Sequence, residues 1–290
     1  MLTIFSIPKP FRGNIAVTQR NAIRSWTLMR PTCEIILFGD EEGIAEAAAE
    51  MNVRHIPVIA RNEFGTPLVS DAFQEAARCS TKNILCYINS DIILCKDFLP
   101  AMERVANKKQ RFLMVGQRWN LDLNLSVDFD QNWVQQISDL VKERGRLEPR
   151  YSIDYFVFPK GLFREIPPFA VGRPGWDHWM IYYARISGYS VIDVSKVVKA
   201  VHQNHDYSHV PQRKGPRYEG PESKRNLSLL DDYSHSFTID DANYVLTKNY
   251  IRPAIARRVN RPCRPARNSL IKLVKGLAGD KLFNFVKRLI

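Results

Sequence analysis

Short apolar runs alternate with amphipathic stretches through the first half of the chain. LTIFSI, residues 2–7, is apolar and β-branched, the pattern of a buried strand, and it stops at Pro8-Lys9-Pro10. Residues 15–29 have helical spacing, with Ile15, Ala22, Ile23 and Trp26 on one side, and Pro31 ends that helix. EIILFGDEEG predicts a strand running into a turn, the Ala- and Glu-rich residues 44–51 a helix, 55–59 a short strand and 67–79 a helix. NILCYINSDIIL is predicted as one strand, followed by a helix at 98–106 and the strand RFLMVGQ. This alternation predicts an α/β fold: a mostly parallel central sheet with helices on both faces.

The second half is less regular. A helix is expected at 133–144, a strand through SIDYFVF to Phe158, a helix at 179–187, the strand YSVIDVS and a helix at 240–256. Between His202 and Ser236 the chain is polar and rich in Gly, Pro, His and Asn, which predicts a long loop of the kind that carries function. RPCRPAR, residues 261–267, reads as a linker.

Composition changes this picture little. Of 290 residues, 45% are hydrophobic and 25% charged, as in ordinary soluble domains. No run of apolar residues is long enough to span a membrane, and the N-terminus does not have the pattern of a signal peptide. Cys33, Cys79, Cys86, Cys95 and Cys263 are odd in number and show no CxxC spacing, so a reduced, cytoplasmic protein without a disulfide framework is expected. Charge is more informative. Residues 250–290 contribute +10 of the net +12, so the body is nearly neutral and a nucleic-acid partner is not expected. Two domains follow: residues 1–250 as the folded body, and 251–290 as a basic linker and amphipathic helical tail. In that tail Leu270, Leu273, Val274, Leu277, Leu282, Phe283, Val286, Leu289 and Ile290 interleave with lysines and an arginine. Such a segment suits peripheral contact with the anionic inner face of a membrane, or docking on its own domain.

Polar residues at strand ends supply the candidate chemistry. Asn89-Ser90-Asp91 interrupts a buried apolar run, and a buried carboxylate costs several kcal/mol unless it is paired or bound to a metal. Asp91 either holds a divalent cation beside a diphosphate or caps a turn with Asn89 and Ser90 as its partners. Asp177, in GRPGWDHW, heads a predicted helix beside Trp176 and Trp179. It is either a general base whose pKa burial raises, or an acid facing the helix dipole. Arg173 lies in the turn before it and is a candidate contact to acceptor or sugar. Trp176 is either a stacking face for a sugar or a core ring. His202 is a candidate phosphate or metal contact, and His205 and Tyr207 are candidates for lining the acceptor or donor pocket. Lys9 and Arg12, after the first strand, are candidate diphosphate contacts or solvated surface. Arg118, also after a strand, binds phosphate or forms a buried ion pair.

The order of these motifs resembles the inverting nucleotide-sugar glycosyltransferases of the GT-A fold, family 2 type, over roughly residues 2–202. The match runs through EIILFGDE, through the segment ending in NSD, and through FPKGLFREIPPFAVGRPGWDHWMIYYARISGYSVIDVSKVVKAVH. The resemblance implies a GT-A fold and a nucleoside diphosphate sugar donor. It implies a carbohydrate or lipid-linked acceptor, with products in surface polysaccharide or glycolipid, and a divalent cofactor, Mn or Mg. By the same resemblance, Asp40 contacts the nucleotide, Asp91 and His202 hold the metal with Asn89 and Ser90 beside them, and Asp177 is the base. Asn89 replaces the first acid of the family's DxD-like triplet, and Trp176 replaces the Glu of its Glu-Asp pair. Two other readings stand beside it: a metal-dependent hydrolase built on His202, His205 and His209, and an inactive, membrane-associated nucleotide-sugar-binding protein.

Overall fold

The computed structural model describes residues 1–123, 125–204, 220–230 and 235–254. Its strands are β1 (Leu2–Ser6), β2 (Glu34–Phe38), β3 (Arg54–Ile56), β4 (Ile84–Ile88), β5 (Ile92–Leu94), β6 (Phe112–Val115), β7 (Arg118–Leu121), β8 (Arg146–Leu147), β9 (Tyr155–Pro159), β10 (Ser190–Asp193), β11 (Ala200–Gln203), β12 (Tyr244–Leu246) and β13 (Ile251–Pro253). The helices are α1 (Gly13–Thr27), α2 (Ile44–Glu50), α3 (Val69–Cys79), α4 (Phe98–Lys108), α5 (Trp133–Arg144), α6 (Trp176–Ile186) and α7 (Pro221–Ser228).

Nine strands form the main sheet in the order β13-β12-β10-β6-β9-β4-β1-β2-β3. It is parallel from β4 through β1 and β2 to β3, and again from β6 through β10 to β12. Between these blocks β9 runs antiparallel to both β4 and β6. Successive side chains of a strand face opposite sides, and both sides are apolar here. Ile35 and Leu37 pack with Ile23, Trp26 and Phe98 on one face. Ile36 and Phe38 pack with Phe73, Met180 and Ile181 on the other. A stack of Phe73 on Phe158, with centroids 5.4 Å apart, anchors the second face.

The run NILCYINSDIIL is two strands, not the single one predicted. β4 ends at Ile88, and β5 joins a separate four-stranded sheet ordered β5-β11-β7-β8. Asn89-Ser90-Asp91 is the crossing between the sheets. Polar residues on the buried face of α1 hold it. Trp26 Nε1 donates to Ile92 O at 2.9 Å, Leu94 N donates to Ser25 Oγ at 3.1 Å, and Ser90 Oγ donates to Gln19 Oε1 at 2.7 Å. Apolar periodicity locates this helix but says nothing of its polar clamp. The small sheet packs Ile93, Leu121 and Val201 against Ile137 and Val141 of α5.

Three further departures lie in the second half. α6 begins at Trp176, three residues before its expected start. The helix expected at 240–256 is a 3-10 turn, Ile239–Asp241, capped reciprocally by Thr238 and Asp241, and then the hairpin of β12 and β13. Tyr244 and Val245 pair with Ile192 and Asp193, so the free edge of β10 decides the conformation over local propensity. The sheet therefore runs three residues past the boundary expected at 250. α7 lies inside the stretch predicted as loop, fixed by Asn226, whose amide donates to Ala170 O at 3.0 Å and accepts from Ala170 N at 2.9 Å. The basic tail from residue 255 onward lies outside the described residues. Among the described residues no helix is long and apolar enough to cross a membrane.

Trp26→Phe keeps an aromatic ring, removes the donor to the buried Ile92 carbonyl and leaves part of the indole's volume empty. An unsatisfied buried acceptor costs about 1–3 kcal/mol. Urea denaturation should show a correspondingly lower midpoint with unchanged far-UV circular dichroism.

Candidate active site

Register places several of the sequence candidates along one edge. Ser6 is level with Leu37 and Phe5 with Tyr87, so β1, β2 and β4 end together. Antiparallel β9 starts at that edge, with Tyr155 opposite Ile88. The carboxyl edge of a parallel sheet is where such folds bind ligands. Lys9, Asp40, Asn89-Ser90-Asp91 and Asp154 all follow or precede strands there.

Asp91 is the centre of the first cluster. It is 6% exposed, and its Oδ2 lies 3.3 Å from Lys9 Nζ and 3.8 Å from His202 Nε2. His202 reaches it because β11 pairs with β5, setting His202 opposite Ile92. Its neighbour Gln203 fixes the Asp91 backbone: Gln203 N and Nε2 each donate to Asp91 O at 3.2 Å. Lys9 is held by a two-way amide contact with Gln19, which accepts from Lys9 N at 2.7 Å and donates to Lys9 O at 2.8 Å.

Asn89 serves a different partner from the one its sequence position suggests. Its Nδ2 donates to Asp154 Oδ1 at 2.8 Å and its backbone N donates to Asp154 O at 2.9 Å. Asp154 Oδ1 also accepts from Arg118 Nη1 at 2.6 Å, an ion pair whose side chains are 11% and 5% exposed. Arg118 thus forms the buried pair that was one of its two sequence readings. An acid at position 89 would set carboxylate against carboxylate, whereas the amide supplies a donor. Asp154 carried no sequence signal beyond standing before a strand. Its partnership with residues 36 and 65 positions away follows from the placement of β9 beside β4.

Asp177 lies in the first turn of α6, reached through the left-handed Gly172 and Gly175. Its Oδ1 accepts from His178 N at 2.9 Å. Burial pushes its carboxyl pKa up against the pull of His178, and the nearby charge of Asp154 adds to the rise. His178 is itself fixed, its ring nitrogens 2.9 Å from Ser236 Oγ and 3.0 Å from Tyr151 O.

The other candidates are placed less centrally. Asp40 is exposed and pairs with Arg61, which also binds Glu41 at 2.9 Å. Arg12 is exposed and pairs with Glu42. Neither touches the Asp91 cluster through these pairs. Arg173 is tied to Glu222 of α7. Trp176 is 5% exposed, with Tyr87 and Phe156 at 5.2 and 5.5 Å between ring centroids. Of its two sequence readings the structure gives the core ring, and the sugar-stacking one is corrected. His205 and Tyr207, with His209, lie outside the described residues. Two cavities of about 390 and 250 Å³ lie away from this edge, the first beside Arg20 and Phe129, the second beside Cys95 and Trp133.

No protein-family model and no curated protein matches the sequence. Among solved structures the chain is similar to GalNAc-T7 with UDP, GalNAc and Mn2+, at a TM-score of 0.51 and 13% identity, covering 80% of this chain and 48% of that one. The chain has the GT-A fold. At this identity the likeness is one of fold. S. aureus TarS 1-349 in complex with UDP-GlcNAc is similar at a TM-score of 0.48 and 10% identity, over 74% of this chain and 62% of that one. Glucosyl-3-phosphoglycerate synthase from Mycobacterium tuberculosis, in complex with Mg2+ and uridine-diphosphate, is similar at 0.46 and 14%, over 81% and 79%. The chain thus spans about half of the GalNAc-T7 structure and under two thirds of the TarS one.

In this GT-A chain no group of three or more His, Cys, Asp or Glu among the described residues is placed to hold a metal ion. The donor set nevertheless fits a divalent cation of the Mn2+ or Mg2+ kind. A carboxylate oxygen and an imidazole nitrogen, both buried, lie 3.8 Å apart. Mg2+ is commonly held by one or two carboxylates, with water and substrate phosphates filling the rest of its shell; Asp91 would supply that carboxylate, on the oxygen that Lys9 Nζ now faces at 3.3 Å.

Breaking the Arg118–Asp154 pair from one side should be severe. Arg118→Met strands a buried carboxylate at a cost of about 3–5 kcal/mol. The double variant Arg118→Met/Asp154→Asn should recover a large part of that loss in a denaturant titration.

Proposed function

We propose that this chain transfers a glycosyl group from a nucleoside diphosphate sugar to a hydroxyl acceptor, with inversion at the anomeric carbon. The observation that carries the reading is a pair of charge centres, both close to Asp154. Asp91, Lys9 and His202 gather at the crossing after β4, where Asn89 bonds Asp154, and Asp177 stands at the head of α6, where the charge of Asp154 reaches it. In-line displacement needs this division: a base on the acceptor side and positive charge on the leaving-group side.

Asp177 takes the proton of the acceptor hydroxyl as that oxygen attacks the anomeric carbon. Its raised pKa makes it a stronger base than an exposed aspartate. The C1–O bond to the diphosphate breaks on the opposite face, and the bonding pair leaves with the nucleoside diphosphate. Lys9 Nζ, at the rim of the cluster, offers a cation to the departing phosphate oxygens. A divalent cation held by Asp91 and His202, Mn2+ or Mg2+, supplies further positive charge there when bound. The acceptor is a carbohydrate or a lipid-linked hydroxyl, and Asp40 with Arg12 stands on the nucleoside side, next to β2.

Asp177→Asn should lower kcat by about 10²–10⁴, the usual worth of a general base, while uridine diphosphate still binds in calorimetry. Wild-type turnover in that variant would remove Asp177 from the mechanism. The same change should raise Tm at neutral pH. A carboxyl whose folded pKa lies above its unfolded one binds more protons in the native state, so it loses stability as pH rises through that interval. Asparagine has no such charge to bury, so the Tm gain should shrink as pH falls through the raised folded pKa and should be gone by about pH 4, near the ordinary aspartate pKa. In wild type the acid limb of the kcat/KM profile should lie above that ordinary value.

A further inference from the structure

Tyr151 is 58% exposed, beside a site whose other aromatic rings are largely buried. A single exposed ring is ordinary; its backbone is what sets this one apart. The loop between β8 and β9 is clamped on both sides of it. On one side Arg150 donates to Gln117 Oε1 at 2.9 Å, Asp193 Oδ2 at 2.7 Å and Ile239 O at 3.2 Å, and its Nε lies 2.7 Å from Asp240 Oδ1. On the other side Asp154 is held by Arg118 and Asn89. Between them Tyr151 O meets the ring of His178, the residue next to Asp177, at 3.0 Å. The chain here is fixed in place, yet the Tyr151 ring is uncovered, on a residue whose carbonyl meets His178, the neighbour of Asp177.

Strand order decides which substrate it faces. Asp40 follows β2, two strands to one side of β4, whereas Tyr151 precedes β9, on the other side of β4. The nucleoside end therefore lies away from Tyr151, and the acceptor end lies toward it. A rigidly mounted aromatic offers large contact area at little cost in conformational freedom. The carbon-bound hydrogens of a pyranose form the complementary apolar face.

We infer that Tyr151 is the platform on which the acceptor's sugar ring lies while Asp177 takes its proton, a role that rests on the glycosyl-transfer reading. Nothing in the sequence marked it, because exposed tyrosines are common and the clamps on either side come from distant elements.

The test is saturation-transfer NMR on the full chain with uridine diphosphate, MnCl2 and the methyl pyranosides of glucose, galactose and mannose. At least one glycoside should receive saturation on its ring hydrogens. Tyr151→Ala should raise its dissociation constant about tenfold, the worth of one well-packed aromatic contact. Tyr151→Phe should bind as wild type does, and so should Tyr250→Ala, which removes another exposed tyrosine, 59% accessible on the β12–β13 hairpin. Equal binding by Tyr151→Ala and wild type overturns the inference. Uridine diphosphate binding with no saturation of any glycoside also overturns it. Where uridine diphosphate does not bind, the adenosine, guanosine, cytidine and thymidine diphosphates take its place; absence of binding of all five to wild type sinks the glycosyl-transfer reading itself, and the platform with it.

Discussion

The arrangement depends on one buried carboxylate. Asp91 sits where the chain leaves one sheet for another, and Lys9 and His202 come to its buried charge. Both arrive through backbone pairing. Lys9 follows β1, which is parallel to β4, and His202 lies on β11, which closes against β5. The polar face of α1 sets the angle of the crossing through Gln19, Ser25 and Trp26. Electrostatics, strand order and helix packing are thus satisfied together at Asn89-Ser90-Asp91.

A second charged group stabilises the neighbouring stretch of the same edge. Arg118 pairs with the Asp154 carboxylate and Asn89 hydrogen-bonds it, while burial raises the Asp177 carboxyl and the negative charge of Asp154 adds a smaller push in the same direction. Tyr87 is raised by the same surroundings, first by burial and then by the charges of Asp91 and Asp154.

Much of this could be read from the sequence, and the rest for a stated reason could not. Apolar runs such as LTIFSI and EIILF are buried on both faces, so they mark themselves as strands of a parallel sheet. The NSD interruption marks itself because polar residues break that run. By contrast, β9 lies antiparallel between β4 and β6, and no local pattern tells an inserted strand from a parallel one. Asp154 and Gln19 depend on that order and on helix facing, so no local pattern marks their roles, whereas Arg118 shows itself as a candidate buried pair-former but its partner does not. The β12–β13 hairpin was mistaken for a helix because its pairing partner, the edge of β10, lies fifty residues earlier. Trp176 was ambiguous from sequence and is settled by its contacts with Tyr87 and Phe156.

The most direct measurement is calorimetric titration of nucleoside diphosphates into the full chain with MnCl2, repeated with Asp91→Asn. If the crossing after β4 forms a diphosphate site, wild type binds at least one of them and the variant loses about tenfold or more in affinity, as expected when one charged contact is removed. Binding of equal strength in both proteins, or none in wild type, contradicts the account.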